Sequence, residues 1–266
     1  MASFTAKDVQ ALRQATGVGM LDAKKALEEN DGDMEAASQW LRVHGLAGAA
    51  KREDREASEG AVAVVRQGAV AGLVELRCET DFVAKAAEFV ALVDELAALV
   101  VAKGPEAVAE RQDEIDGLRT TLKENISVGR VARVEGGDGD VLETYLHQQA
   151  GRGVNGVVVL LRGGTAELAH DVAVHIAFAK PTYLRREDVP EAEVAAERAT
   201  VEEISRNEGK PEAALPKIVE GRMTGWFKER CLLEQPYVRD EKRTVADLVG
   251  SASAEVLQFV QVVIGS

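Results

Sequence analysis

Two cysteines and four histidines are the residues of this chain best suited to nucleophilic or metal chemistry. The histidines are His44, His147, His170 and His175. A metal pair on one helix face needs a spacing of three or four, because only those positions stack on the same side. His170 and His175 are five apart and diverge. Cys78 and Cys231 are remote from each other and form neither a zinc motif nor a disulfide framework. Cys78 ends an apolar run beside Glu79 and Asp81, whose charges raise a thiol pKa rather than lower it. It reads as a small core residue. No Gly-Lys-Ser or Gly-Lys-Thr is present to close a phosphate loop, and "GVG" at 17–19 joins two short helices rather than a strand and a helix. The residues assemble no active site, so the chain reads as a non-enzyme without cofactor or metal.

One junction stands apart. In "ELRCETDFVAK", residues 75–85, an apolar strand runs into Glu79, Thr80, Asp81 and Phe82, and a helix starts at once, with Asp81 as its natural cap. A large aromatic in a first helical turn has two readings. Phe82 can begin a buried stripe with Ala86, Phe89, Val93, Leu96 and Val100, which step by three and four. Alternatively the helix tip presents Thr80, Asp81 and Phe82 outward as a probe, since an exposed aromatic on a rigid helix start suits a partner's pocket.

The elements around this junction follow from pattern. Residues 1–55 read as three short helices: one from Thr5 and Asp8, one from Met20 to Glu29, and one capped by Asp33 and ending at Gly45. Val9, Leu12, Leu21, Leu27, Met34, Leu41 and Val43 are the expected core. The stretch at 49–60 is charged, and its end supplies a linker. "GAVAVVRQ" and "AVAGLVELRC" are strands of a hairpin around Gly68. The helix from Phe82 stops at Gly104 and Pro105, and a second helix occupies about 106–126. "RVARVE" and "DVLETYLHQ" flank the turn "GGDG", and "NGVVVLLRG" leads through Thr165 into another helix. Strands followed by a covering helix thus occur twice. A helical hairpin spans about 190–230, broken at "EGKP", and a short helix from Thr244 precedes a last strand at 255–264.

The fold class is multidomain α+β: a three-helix domain at 1–55, then two related α+β subdomains, 56–140 and 141–266, each an antiparallel sheet with helices on one face. Bulk properties suit this. The 266 residues are 46% hydrophobic and 29% charged, and only 4% are aromatic, so Ala, Val and Leu must fill the cores. The net charge of −13, with no long basic run, argues against direct nucleic-acid binding. No uncharged apolar run approaches the ~18 residues of a membrane span. The start "MASFTAKDVQ" lacks the pattern of a signal peptide, and two isolated cysteines suit a reducing compartment, so the expected location is cytoplasmic.

Three blocks carry a family resemblance. Residues 12–42, "LRQATGVGMLDAKKALEENDGDMEAASQWLR", resemble an N-terminal ubiquitin-associated-like domain; "CETDFVAK", residues 78–85, resembles a Thr-Asp-Phe-Val motif; "GKPEAALPKIVEGRM" with "LLEQPYV" resembles a helical hairpin and the segment after it. Together, in this order, they resemble the elongation factor Ts family, the guanine-nucleotide exchange factors of elongation factor Tu. The resemblance implies that the chain binds elongation factor Tu, both GDP-bound and nucleotide-free, and promotes GDP release. By position it implies that Thr80, Asp81, Phe82 and Val83 form the motif that dislocates magnesium and opens the partner's nucleotide site. It implies partner contacts at Arg13, Met20 and Leu21, and at His147 in the second subdomain. The helical hairpin matches the family's coiled-coil arm.

Overall fold

The computed structural model describes residues 4–50, 52 and 54–265; positions 51 and 53 of the charged stretch lie outside them. The N-terminal unit is three helices, α1 (Ala6–Thr16), α2 (Met20–Glu29) and α3 (Met34–Ala50). Thr5 caps α1 through a reciprocal box: its hydroxyl accepts the Asp8 N–H and the Asp8 carboxylate accepts the Thr5 N–H at 2.7 Å. Gly17, at φ +73°, ends α1 in the left-handed conformation that costs glycine least. Val9, Leu12, Val18, Ala23, Ala26, Leu27, Ala37 and Leu41 make the core. This corrects the expected core in three places, since Leu21, Met34 and Val43 are exposed. Alanines on α2 and α3 bring the helices close and turn those larger side chains outward. The third helix also continues past Gly45.

Two three-stranded antiparallel sheets follow, with one topology used twice. In the first, β1 (Glu59–Gln67) and β2 (Val70–Cys78) form a hairpin. Next come a short helix α4 (Asp81–Ala84), the long α5 (Ala87–Lys103), a 3-10 turn at 105–111 and α6 (Gln112–Leu122). Then β3 (Ser127–Glu135) returns beside β2. In the second, β4 (Asp140–Gln149) and β5 (Arg152–Arg162) form the hairpin and α7 (Ala166–Ala179) is the cover. The helical hairpin α8 (Glu191–Asn207) and α9 (Leu215–Arg230) is inserted next. A small hairpin, β6 (Pro236–Tyr237) and β7 (Asp240–Thr244), and the helix α10 (Val245–Ser251) lead to β8 (Glu255–Val263), which pairs with β5. The strand orders are therefore β1-β2-β3 and β4-β5-β8. The strands flanking "GGDG" belong to different sheets, because each third strand pairs across the covering helix rather than across the nearest turn.

Each sheet buries one face under its helix: Val74, Leu76, Phe89, Val93 and Leu96 in the first unit, and Val157, Val159, Val172 and Ile176 in the second. The opposite faces pack together through Val62, Leu73, Val134, Leu142, Val158 and Val262. The approach is close at Gly153, where a Cβ would lie 2.1 Å from the Val62 carbonyl oxygen. The result is a helix, sheet, sheet, helix sandwich. The second arm of the hairpin carries Val219, Met223, Trp226 and Phe227 into a core with Val201, Val189 and Cys231, so it packs on the chain flanking the hairpin as well as on the first arm.

Candidate functional site

The junction after β2 seats a short helix on the first core with Phe82 turned outward. The structure breaks the expected single helix at Lys85 and Ala86; Ala86 is extended, at φ −62° and ψ +136°. In an unbroken helix Phe82 and Phe89 would be seven residues apart and share a face. The break uncouples them. Phe89 is fully buried, whereas Phe82 is 83% exposed. The stripe reading of Phe82 is thereby overturned, although Phe89, Val93, Leu96 and Val100 do form the buried face. An exposed phenylalanine forgoes about 1.5–3 kcal/mol of burial free energy.

What fixes the tip is Thr80, not Asp81. Thr80 is the N-cap, its hydroxyl oxygen accepting the Val83 N–H at 3.4 Å. The same hydroxyl donates to Glu124 Oε1 at 2.5 Å, and the N–H groups of Glu79 and Thr80 both donate to Glu124 Oε2 at 3.0 Å. Glu79 in turn accepts the Asn125 N–H at 2.7 Å. Asp81 occupies the first helical position, where its carboxylate meets Lys85 Nζ at 2.5 Å. That hydrogen bond from Lys85 holds the Asp81 carboxyl below the usual carboxylate range. Val83 is buried in the first core beside Ala84, so it anchors the tip from inside. Cys78 is buried under the turn, its thiol donating to the Thr80 carbonyl at 3.2 Å. Burial, reinforced by the Glu124 charge, pushes its pKa up to about 12, which leaves a thiol rather than a nucleophile at neutral pH.

The other sequence-derived positions are all at the surface. Met20 is 50% and Leu21 82% exposed on the first turn of α2, and Arg13 is exposed on α1. The N-terminal unit is tied to the junction by Lys123, whose Nζ meets the Asp22 carboxylate at 2.6 Å, one residue before Glu124. His147 is exposed at a register shift near the end of β4. That end of β4 lies with the start of β5, where Arg152 donates to the Gly60 carbonyl and to Glu59, the residue paired with Cys78. Sequence reasoning missed Glu124, Asn125 and Arg152. The first two fell within a helix expected to run to 126, and nothing in the local pattern marks any of the three. Of the other histidines, His170 is exposed near Glu143, while His175 is buried and bonded to Gln235. Among the described residues no group of three or more His, Cys, Asp and Glu could hold a metal ion, and no helix is long and apolar enough to cross a membrane.

The fold is an α+β body carrying an exposed aromatic on a hydrogen-bonded helix tip. Comparison with known proteins places it among the translation elongation factors. A family model described as Elongation factor TS matches residues 79–266. The chain is 49% identical to Elongation factor Ts of Clavibacter michiganensis subsp. michiganensis over 278 residues, covering all of both chains. It is 44% identical to that of Renibacterium salmoninarum over 281 residues, again covering both completely. It is 47% identical to that of Mycobacterium marinum over 277 residues, covering 100% of this chain and 99% of that protein. The chain belongs to the elongation factor Ts family.

Proposed function

We propose that the chain binds elongation factor Tu, in its GDP-bound and nucleotide-free forms, and speeds GDP release without making or breaking a covalent bond. The observation that carries this reading is Phe82, 83% exposed on a helix tip whose cap is held by three hydrogen bonds to Glu124. A flexible side chain would fold back on contact; a braced one can enter a partner. Phe82 wedges into the GTPase, Asp81 disturbs the magnesium site, and Thr80 and Val83 hold both in place. Arg13, Met20 and Leu21 meet the nucleotide-binding domain, and the surface around His147 holds a further domain of the partner.

Energetics require that breadth. By linkage, a factor that favours the empty GTPase must be weakened equally by bound nucleotide. Swinging a loaded-to-empty balance from 99:1 to 1:99 takes about 5.5 kcal/mol of differential affinity. One buried aromatic supplies only ~1.5–3 kcal/mol, so several docking surfaces must contribute. The net charge of −13 suits a protein partner rather than nucleic acid, and the site of action is the cytoplasm.

Release of fluorescent GDP from elongation factor Tu tests the reading. Phe82→Ala is expected to slow release at least tenfold at saturating factor while much of the binding persists. Because Phe82 is exposed, the substitution should change stability by no more than about 0.5 kcal/mol. An unaltered release rate would remove Phe82 from the mechanism; binding without any acceleration by the wild type would make the chain an adaptor.

A further inference from the structure

We infer that Glu124 is a positioning residue of the exchange tip: its carboxylate sets the angle at which α4 leaves β2, and so where Phe82 stands. The inference rests on the exchange reading above and goes beyond the residues of the motif itself. Glu124 lies 44 and 45 positions from the groups it holds, on the far side of α5 and α6 in sequence. Its Oε2 accepts two successive backbone N–H groups, of Glu79 and Thr80, both at 3.0 Å, and its Oε1 accepts the Thr80 hydroxyl at 2.5 Å. Hydrogen bonds to an ionised acceptor are shorter and stronger than neutral ones. These three bonds fix the last residues before the helix start. The Thr80 hydroxyl, its hydrogen committed to Glu124, presents its oxygen to the Val83 N–H.

Glu124 is itself held in a short, fully engaged segment. Lys123, in the left-handed conformation at φ +58°, ends α6 and reaches Asp22 of the N-terminal unit. Asn125 donates its backbone N–H to Glu79 and its side-chain amide to the Arg55 carbonyl at 2.8 Å. Three consecutive residues thus join the N-terminal unit, the chain entering β1 and the exposed tip.

Substitution chemistry gives a graded test. In Glu124→Gln the carbonyl oxygen can take the place of Oε2 and accept both N–H groups, while the amide NH2 donates to the Thr80 oxygen. The clamp survives in altered form. In Glu124→Ala all three bonds are lost. Two readouts are made on the full chain: amide hydrogen exchange at Glu79 and Thr80, and GDP release from elongation factor Tu as a function of factor concentration. The expected result for Glu124→Ala is at least a tenfold loss of protection at those two amides, with the α5 amides of the buried residues Leu92, Val93 and Leu96 unchanged. The maximal release rate should fall about tenfold with less than a threefold change in the half-saturating concentration. Glu124→Gln should retain most of both. Unchanged protection in Glu124→Ala would overturn the clamp. Lost protection with a wild-type release rate would overturn its role in exchange, as would equal impairment of the Ala and Gln variants. Parallel loss of protection throughout α5 would show a general destabilisation instead and also refute the inference. If the wild type itself failed to speed release, the exchange reading would fall, while the amide readout would still report whether the clamp holds.

Discussion

The Arg152 guanidinium lies 2.8 Å from the Glu59 carboxylate and joins the central strand of one sheet to the edge strand of the other. Its second terminal nitrogen donates to the Gly60 carbonyl at 2.5 Å. Arg152 is 9% exposed, so its charge is satisfied almost wholly by these partners. Glu59 pairs with Cys78 across β1 and β2, one residue before the Glu79 N–H that Glu124 holds. The bridge therefore sets the two sheets against each other at the end that carries the exposed tip.

Arg152→Met should accordingly destabilise the sandwich. The methionine keeps an apolar stem but leaves the Gly60 carbonyl and the Glu59 carboxylate without their donor. Orphaning such groups costs about 1–3 kcal/mol, less where water can reach them, as it can at Glu59. Urea unfolding should show a lower midpoint with an unaltered slope. The double variant Glu59→Gln with Arg152→Met should recover part of the loss. A midpoint identical to wild type would mean that the bridge adds nothing to the packing between the sheets.

Stability should also fall below neutral pH because of His175. Its Nδ1 accepts the Val238 backbone N–H at 3.2 Å, so the proton sits on Nε2 and is donated to Gln235 Oε1 at 3.0 Å. The ring is neutral and buried on the inner face of α7. Burial pushes its pKa below the ordinary 6.5, and the bond to Gln235 only partly opposes that. As pH drops through 6.5 the unfolded chain takes up a proton that the folded chain refuses, so ΔG of unfolding decreases. The stability is fully present above 6.5 and declines below it. Urea midpoints at pH 7.5 and 5.5 should differ more for wild type than for His175→Gln. Equal pH slopes in the two would assign the acid sensitivity to other groups.

Local signals in the sequence suffice where local chemistry decides. Thr5, Thr165 and Thr244 each cap a helix, and Gly104 with Pro105 ends α5. The repeat of strand hairpin and covering helix was also visible. What escaped is set by tertiary contact. The assignment of β3 to the first sheet depends on pairing across α5 and α6, which no local pattern encodes. The break at Ala86 contains neither glycine nor proline; it exists because Val83 and Ala84 are drawn into the core while the tip is held by Glu124. The outward positions of Leu21 and Val43 follow from the choice of Ala23, Ala26 and Ala37 as the close-packing face. Phe82 itself was legible as an anomaly, but its exposure was decided by that break.

Removal of residues 1–50 should leave the remainder folded, because among the described residues the two regions have separate buried clusters. Among the described residues, the buried side chains of the N-terminal unit, from Val9 to Leu41, form one cluster with Phe4 and Trp40, distinct from the clusters of the two sheets. The unit rests on α6 through solvent-exposed ion pairs, Asp22 with Lys123 and Arg42 with Asp113 at 3.4 Å. Exposed pairs of this kind contribute about 0–1 kcal/mol each. Helix α3 also packs along α6, with Gly17 and Gly45 close against Thr121 and Thr120. The truncated chain should therefore melt cooperatively, with strand content intact by circular dichroism. Under the proposed function it would lose Arg13, Met20 and Leu21 as docking points, so the factor concentration giving half-maximal GDP release should rise while the maximal rate persists. A truncated chain that failed to fold would show instead that α6 needs its N-terminal cover, and the division between the two units would have to be abandoned.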